Sequence, residues 1–239
     1  MEKISTGIIK LDELLGGGYP KGKSILIAGE PGTGKTLLSL QYLIDGAKRG
    51  EKGIYVSIDE KPEHVIHDAQ EMGWDLKKYL DDGTILVIDI SSYFAKVRMA
   101  HDDMFDYLKI IDDLSEHVTK MQAKRLVLDP IAPMIFTESS FPLMSEYIRK
   151  LIFTMDGNPH CTTLMTSHIP VGTNQLGRYG IEEFLSTGVI VLKLLRAVES
   201  RNQYIRSIFV RKMRGIRVEL VEYSYEIVTE RGLVIRQPV

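Results

Sequence analysis

Apolar and polar positions along this chain alternate between two rhythms. Short, β-branched apolar runs without a helical period read as buried strands: Ser24 to Ala28, Gly53 to Ile58, Thr84 to Ile90, Arg125 to Leu128 and Thr162 to Thr166. Helical patterns separate them, over Lys35 to Lys48, Pro62 to Met72, Asp103 to Met121 and Leu143 to Met155. Strand and helix taking turns at this spacing predict parallel β-α-β units, hence an α/β fold with a mostly parallel twisted sheet and helices on both faces. The last third changes rhythm. Gly188 to Leu194, Tyr204 to Arg211, Glu222 to Val228 and Leu233 to Ile235 look like strands joined by short connections, and they predict a C-terminal antiparallel extension of the sheet.

No low-complexity linker, internal repeat or Pro/Ser-rich boundary divides the sequence, so 239 residues with 44% hydrophobic content are read as one domain over 1–239. The longest apolar stretches, such as Val189 to Leu195, fall far short of the ~20 residues that span a bilayer. Met1-Glu2-Lys3 leads into no apolar signal segment. The expectation is a soluble, cytoplasmic protein without a membrane partner. The single cysteine, Cys161, has no intrachain disulfide partner and sits beside a predicted buried strand, where an inert core thiol is expected. Thirty basic against 32 acidic residues give a net charge of −2, so any site for a polyanion must be local. One local bias exists: Lys193, Arg196, Arg201, Arg206, Arg211, Lys212, Arg214 and Arg217 face only Glu199 in the stretch from Lys193 to Arg217.

Candidate chemistry begins at Gly29-Glu30-Pro31-Gly32-Thr33-Gly34-Lys35-Thr36, a full match to G-x-x-x-x-G-K-[ST] placed after a predicted strand and before a predicted helix. The glycines let successive N–H groups turn inward at the positive end of a helix dipole, forming a nest for phosphates. In this reading Lys35 supplies a point charge for the β- and γ-phosphates, the Thr36 hydroxyl ligates magnesium, and the ATP-contacting run continues to Leu37. Hydrolysis also requires carboxylates. Lys124-Arg125-Leu126-Val127-Leu128-Asp129 is an apolar strand ending in an acid, the Walker B pattern, and makes Asp129 the magnesium carboxylate. A second pair, Asp59-Glu60, follows Ile54-Tyr55-Val56-Ser57-Ile58 and is brought to the same edge of the sheet. The same acids also suit the first turn of the helix opened by Pro62.

These motifs in this order, with Ser5-Thr6-Gly7-Ile8-Ile9-Lys10-Leu11-Asp12-Glu13-Leu14-Leu15-Gly16-Gly17-Gly18, resemble KaiC-like ATPases, the RecA superfamily branch that contains the cyanobacterial clock protein and many archaeal single-domain relatives. Tyr179-Gly180-Ile181-Glu182-Glu183-Phe184 and Lys212-Met213-Arg214-Gly215 are the most specific parts of the likeness, which spans almost the whole chain. The resemblance implies a RecA-like P-loop NTPase with ATP and Mg2+ as cofactors, self-associated into a ring, usually a hexamer, with nucleotide between subunits. It implies that the water-activating acid follows the second strand, which favours Glu60 with Asp59 as helper. It also implies that Lys212 and Arg214 reach the γ-phosphate of a neighbouring subunit; a basic strand surface without a ligand is the plainer alternative. At Thr166-Ser167-His168 the family often has Thr and an acid, so Ser167 is a candidate phosphate sensor, and His168 is either a different sensor or a satisfied polar residue. No counterpart of the clock protein's phosphorylated Ser-Thr pair is identifiable, and autokinase activity is not implied.

Other features receive bland readings. His64 and His67 lie one helical turn apart without a third ligand by spacing. Trp74 reads as core, and Asp102, Asp103, Asp106, Asp112 and Asp113 as a solvated helix face. Three functions then stand. The first is a homo-oligomeric regulatory ATPase switch read by an unidentified protein partner. The second is a RecA-paralogue accessory factor in DNA repair or recombination whose loop from Pro170 to Arg178 touches single-stranded DNA. The third is a nucleotide-gated scaffold with little turnover. The DNA reading is disfavoured, because that loop offers Asn174, Gln175 and Arg178 but no stacking aromatic before Tyr179, and the chain is slightly acidic. The scaffold reading is opposed by the intact Asp59, Glu60 and Asp129.

Overall fold

The computed structural model describes residues 1–90, 107–131, 141–169, 175–196 and 203–239. A small antiparallel pair, β1 (Lys3–Ile4) and β2 (Tyr19–Pro20), precedes the main sheet. Six strands of the main sheet run parallel: β3 (Ser24–Gly29), β4 (Gly53–Ser57), β5 (Ile85–Asp89), β6 (Arg125–Asp129), β7 (Thr162–His168) and β8 (Gly188–Arg196). Three more extend it in antiparallel fashion: β9 (Tyr204–Met213), β10 (Glu222–Val228) and β11 (Gly232–Pro238). The order across the sheet is β11-β10-β9-β8-β3-β7-β6-β4-β5.

Helices α1 (Ile9–Leu14), α2 (Lys35–Lys48), α3 (Pro62–Glu71), α4 (Leu76–Asp81), α5 (Tyr107–Met121), α6 (Phe141–Asp156) and α7 (Glu182–Leu185) complete the described elements. The predicted strands and long helices appear within a few residues of their expected bounds. The expected helix start at 103–106, with Asp102, Asp103 and Asp106, lies outside the described residues, as do 170–174 with Asn174, and Arg201 and Glu199. The pair β1–β2 and the short helices α1, α4 and α7 were not expected, since two to six residues are too few to show a period.

Alternation along each strand divides the core into two layers. Ile25, Ile27, Tyr55, Val127 and Leu164 lie beneath α2, while Leu26, Ala28, Ile54, Val56, Leu128 and Met165 lie beneath α5 and α6. Trp74 belongs to the first layer and donates from Nε1 to the Glu230 carbonyl at 3.1 Å, as a core residue would. Cys161 is buried in the second, and burial pushes its thiol up to about 12.

One buried charge anchors the far end of α2. Arg125, fully buried at the start of β6, donates to the carbonyls of Tyr42 (2.6 Å) and Ser5 (3.1 Å) and to the carboxylates of Glu51 (2.7 Å) and Asp45 (3.2 Å). Its guanidinium lies 4.5 Å from the Tyr42 ring centroid. Gly46 makes room, because a Cβ there would fall 2.3 Å from Arg125 Nε. The helix that begins at the phosphate loop is thus tied at its other end to β6 and to the N-terminal segment. Among the described residues no helix is long and apolar enough to cross a membrane.

Candidate functional site

The carboxyl ends of β3, β4, β6 and β7 meet where the chain leaves β3 toward β4 on one side and β7 toward β8 on the other, the crevice in which open α/β sheets bind ligands. A cavity of about 440 Å³ opens there. Pro31, Gly32, Gly34, Lys35, Thr36 and Leu37 line it from the phosphate loop. Gly29, Glu30 and Thr33 shape the loop from behind. A Cβ on Gly29 would lie 2.8 Å from Thr33 Oγ1 and 3.0 Å from the Leu192 carbonyl oxygen, so only glycine fits. Thr33 Oγ1 donates to the Glu30 carbonyl at 2.7 Å, and the Tyr225 hydroxyl from β10 donates to the Thr33 carbonyl. Gly34 caps α2 with φ of 86° and contributes no side-chain cap, so the first N–H groups of the helix are presented to whatever fills the cavity.

Lys35 is 6% exposed and donates to the carbonyls of Gly29 (2.9 Å) and Glu30 (3.0 Å). Burial pulls its pKa down, opposed by the charges of Asp129 and Glu30. Asp129 is held by three hydroxyls. Thr36 Oγ1 donates to Oδ2 at 2.8 Å, Tyr55 donates to the same oxygen at 2.5 Å, and Thr166 donates to Oδ1. A hydroxyl and a carboxylate oxygen in direct contact beside a phosphate nest form the hard-oxygen donor set that magnesium takes when phosphate and water supply the remaining ligands. The donors present therefore fit Mg2+. Among the described residues no group of three or more His, Cys, Asp or Glu forms a self-contained metal cage, and His67 stands exposed beside Asp68 and Glu71.

Asp59 and Glu60 line the same cavity, as do Asp68, His168 and Arg206. The Ser57 hydroxyl donates to the Glu60 carbonyl and shapes the turn that carries the acids. Burial, followed by the negative charges of Asp129 and Asp68, raises the Glu60 pKa above its ordinary value.

Three expected residues, Ser167, Lys212 and Arg214, are not brought to this cavity. Ser167 is 2% exposed and does not line it: alternation places Ser167 on the face of Met165, whereas Thr166 and His168 face the phosphate loop. Burial and the neighbouring Lys35 lower the His168 pKa, and its Nδ1 has no hydrogen-bond partner among the described residues. Lys212 and Arg214 lie toward the other edge of the sheet. Lys212 pairs in register with Val189, and Ile208, four residues earlier on β9, stands level with Leu192 and Gly29. Val189 itself stands level with Leu26, three residues before Gly29, so at the strand rise Lys212 lies about 10 Å back from its own phosphate loop, and two strands away.

Tyr55, Thr166, Asp68 and Arg206 were not anticipated. Arg206 is the basic residue of the antiparallel extension that does reach the loop, its Nε donating to the Gly32 carbonyl at 3.2 Å. For Tyr55 and Thr166 a signal exists in hindsight: each lies two residues before a site-edge position, Ser57 and His168, and so on the same face of its strand. Nothing local distinguishes Arg206 from its basic neighbours.

A larger cavity, about 680 Å³, opens at the amino edge among Lys21, Lys52, Lys124 and His160. Gly50 and Gln122, just past the carboxyl ends of α2 and α5, also line it, and the lysines there complement the helix dipoles.

Fold and cavity together define a nucleotide-binding P-loop protein of the RecA type. Comparison with known proteins specifies the branch: the family model described as "ATPase: KaiC" matches residues 4–239, and the chain belongs to that family. A UPF0273 protein of Pyrococcus furiosus is 31% identical over 98% of this chain and 94% of its own length. The circadian clock oscillator protein KaiC of Prochlorococcus marinus is 33% identical over 90% of this chain, which spans 41% of the clock protein. The crystal structure of a KaiC-like protein from the hyperthermophilic archaeon Pyrococcus horikoshii superposes with a TM-score of 0.83 at 31% identity, covering 98% of this chain and 99% of that one.

Proposed function

We propose that this protein hydrolyses Mg-ATP at the interfaces of a homo-oligomeric ring, a hexamer by family resemblance, and acts in the cytoplasm as a regulatory switch whose nucleotide state is read by a protein partner. The observation that carries the chemical part is the contact of Thr36 Oγ1 with Asp129 Oδ2 at 2.8 Å, in the cavity that also holds Lys35, Asp59 and Glu60. Thr36 and Asp129 are the magnesium ligands in this reading, and a bound magnesium ion supplies Lewis-acid neutralisation of phosphate oxygens. The amides from Gly29 to Thr36 and the Lys35 ammonium orient the phosphates, with Leu37 completing the contact. Glu60 takes the proton of the attacking water and Asp59 assists.

Lys212 and Arg214 neutralise the γ-phosphate of the adjacent subunit. Their distance from the loop of their own chain supports this assignment over action in cis. Its test is complementation. Lys212→Ala and Arg214→Ala should each lose ATPase activity, and each should regain part of it when mixed with Glu60→Gln protein, because some interfaces then join an intact Glu60 to an intact neighbour. With subunit exchange verified, a mixture no more active than its components would refute the shared site.

The charge balance argues against the DNA-repair reading. With a net charge of −2, single-stranded DNA should bind more weakly than micromolar at physiological salt, measured by fluorescence anisotropy across a salt titration. Tight, salt-steep binding would promote that reading above the switch.

A further inference from the structure

Magnesium tolerates little error in the position of its ligands, yet the last torsion of an aspartate is soft and fixes no orientation by itself. At Asp129 the orientation is imposed from outside. Thr36 Oγ1 donates to Oδ2 at 2.8 Å, Tyr55 donates to the same oxygen at 2.5 Å, and Thr166 donates to Oδ1. Tyr55 comes to the carboxylate from the interior: it is buried in the core layer beneath α2 and also lines the cavity. On the parallel strands β4 and β6, Tyr55 stands level with Val127 and Ser57 with Asp129. The phenol therefore spans the two residues, about 7 Å along the strand, that separate its backbone from the carboxylate. Phenylalanine would fill the same core position and leave the carboxylate untouched. A phenol keeps its proton at neutral pH and an ionised carboxylate only accepts, so Tyr55 meets Asp129 as a donor.

We propose that Tyr55 is a positioning residue for the magnesium carboxylate: with Thr166 on the opposite oxygen it clasps Asp129 in the orientation that Mg2+ requires, and so gives the site its preference for Mg2+ over Ca2+. The inference rests on the reading of Thr36 and Asp129 as magnesium ligands and adds to it the groups that hold the carboxylate still. Of the two donors on Oδ2, Thr36 is itself a ligand in that reading. Tyr55 is the hold on that oxygen that does not depend on the metal. Thr166, fully buried on the neighbouring strand β7, closes the clasp from the other side. A carboxylate has about four acceptor positions, and three hydroxyls leave about one for the metal or a water bound to it. Mg2+ takes a near-ideal octahedron at about 2.0–2.1 Å, whereas Ca2+ takes about 6–8 oxygens at about 2.3–2.6 Å in flexible geometry. A carboxylate free to turn therefore penalises magnesium more than calcium.

Titration calorimetry with adenylyl imidodiphosphate, an ATP analogue that is not hydrolysed, tests the clasp when it is run in EDTA, in excess Mg2+ and in excess Ca2+. The quantity read is the gain in affinity that each ion brings over EDTA. Tyr55→Phe should bind within about twofold of wild type in EDTA, lose tenfold or more of the magnesium gain, and keep the calcium gain within about threefold. Thr166→Val should shift the gains in the same direction, and it carries the test if a melting curve shows that Tyr55→Phe does not fold. A wild-type magnesium gain in Tyr55→Phe, an equal loss with both ions, or a loss already present in EDTA would make the phenol a core residue only and refute the clasp. Asp129→Asn separates this failure from that of the underlying reading: if Asp129→Asn loses the magnesium gain while Tyr55→Phe keeps it, the metal site stands without the clasp. If Asp129→Asn keeps the gain, or wild type shows none, the reading of Asp129 as a magnesium ligand fails and takes the clasp with it.

Discussion

The Lys35→Ala protein should bind ATP at least about a hundredfold more weakly than wild type and hydrolyse none of it. The ammonium is enclosed by the loop, 6% exposed, and reaches the Gly29 and Glu30 carbonyls at 2.9 and 3.0 Å, the rim over which phosphates would lie. Charge-assisted hydrogen bonds contribute about 1.5–3 kcal/mol each, and one or two of them correspond to the stated loss in affinity. Burial lowers the Lys35 pKa, and the charges of Asp129 and Glu30 oppose that pull. Removing the side chain leaves only backbone dipoles and the metal to neutralise the phosphates. Titration calorimetry with ATP and Mg2+ gives the affinity, and a melting curve separates lost binding from lost folding. Turnover at the wild-type rate would remove the site assignment altogether.

Glu60→Gln should retain ATP binding while hydrolysis slows about 100-fold or more, the scale of losing a general base. The amide keeps the shape of the side chain and discards its basicity. Burial and the facing charges of Asp129 and Asp68 raise the Glu60 pKa, which makes it a better proton acceptor than an ordinary carboxylate. The sign follows for the pH profile. Wild-type activity should fall on acidification through a point above the usual carboxylate range as Glu60 takes up its proton, and the glutamine variant should lack that limb. Single-turnover assays across pH read both effects. Should Glu60→Gln prove fully active and Asp59→Asn dead, the roles of these neighbours are exchanged.

The parts of the molecule legible in the sequence are those whose physics is local. Gly29 to Thr36 specifies its own backbone path, because glycine at Gly32 and Gly34 permits φ values of 79° and 86° that other residues rarely adopt, and its strand-loop-helix context is contiguous in the chain. The periods of strands and long helices are likewise short-range, so β3 to β11 and α2, α3, α5 and α6 could be read directly, and Asp129 and the pair Asp59-Glu60 followed as strand-end acids at one sheet edge. The face each strand presents to α2 was not legible. It is decided by packing, which is why Ser167 turns toward the α5–α6 layer while Thr166 and His168 face the phosphate loop. Strand order was not legible either. Tyr55 meets Asp129, 74 positions away in sequence, and Arg206 meets Gly32, 174 positions away, only because the sheet sets β4 beside β6 and puts the start of β9 at the carboxyl edge. The antiparallel run of β9 carries Lys212 and Arg214 away from their own loop, since a reversed strand places its later residues toward the opposite edge of the sheet.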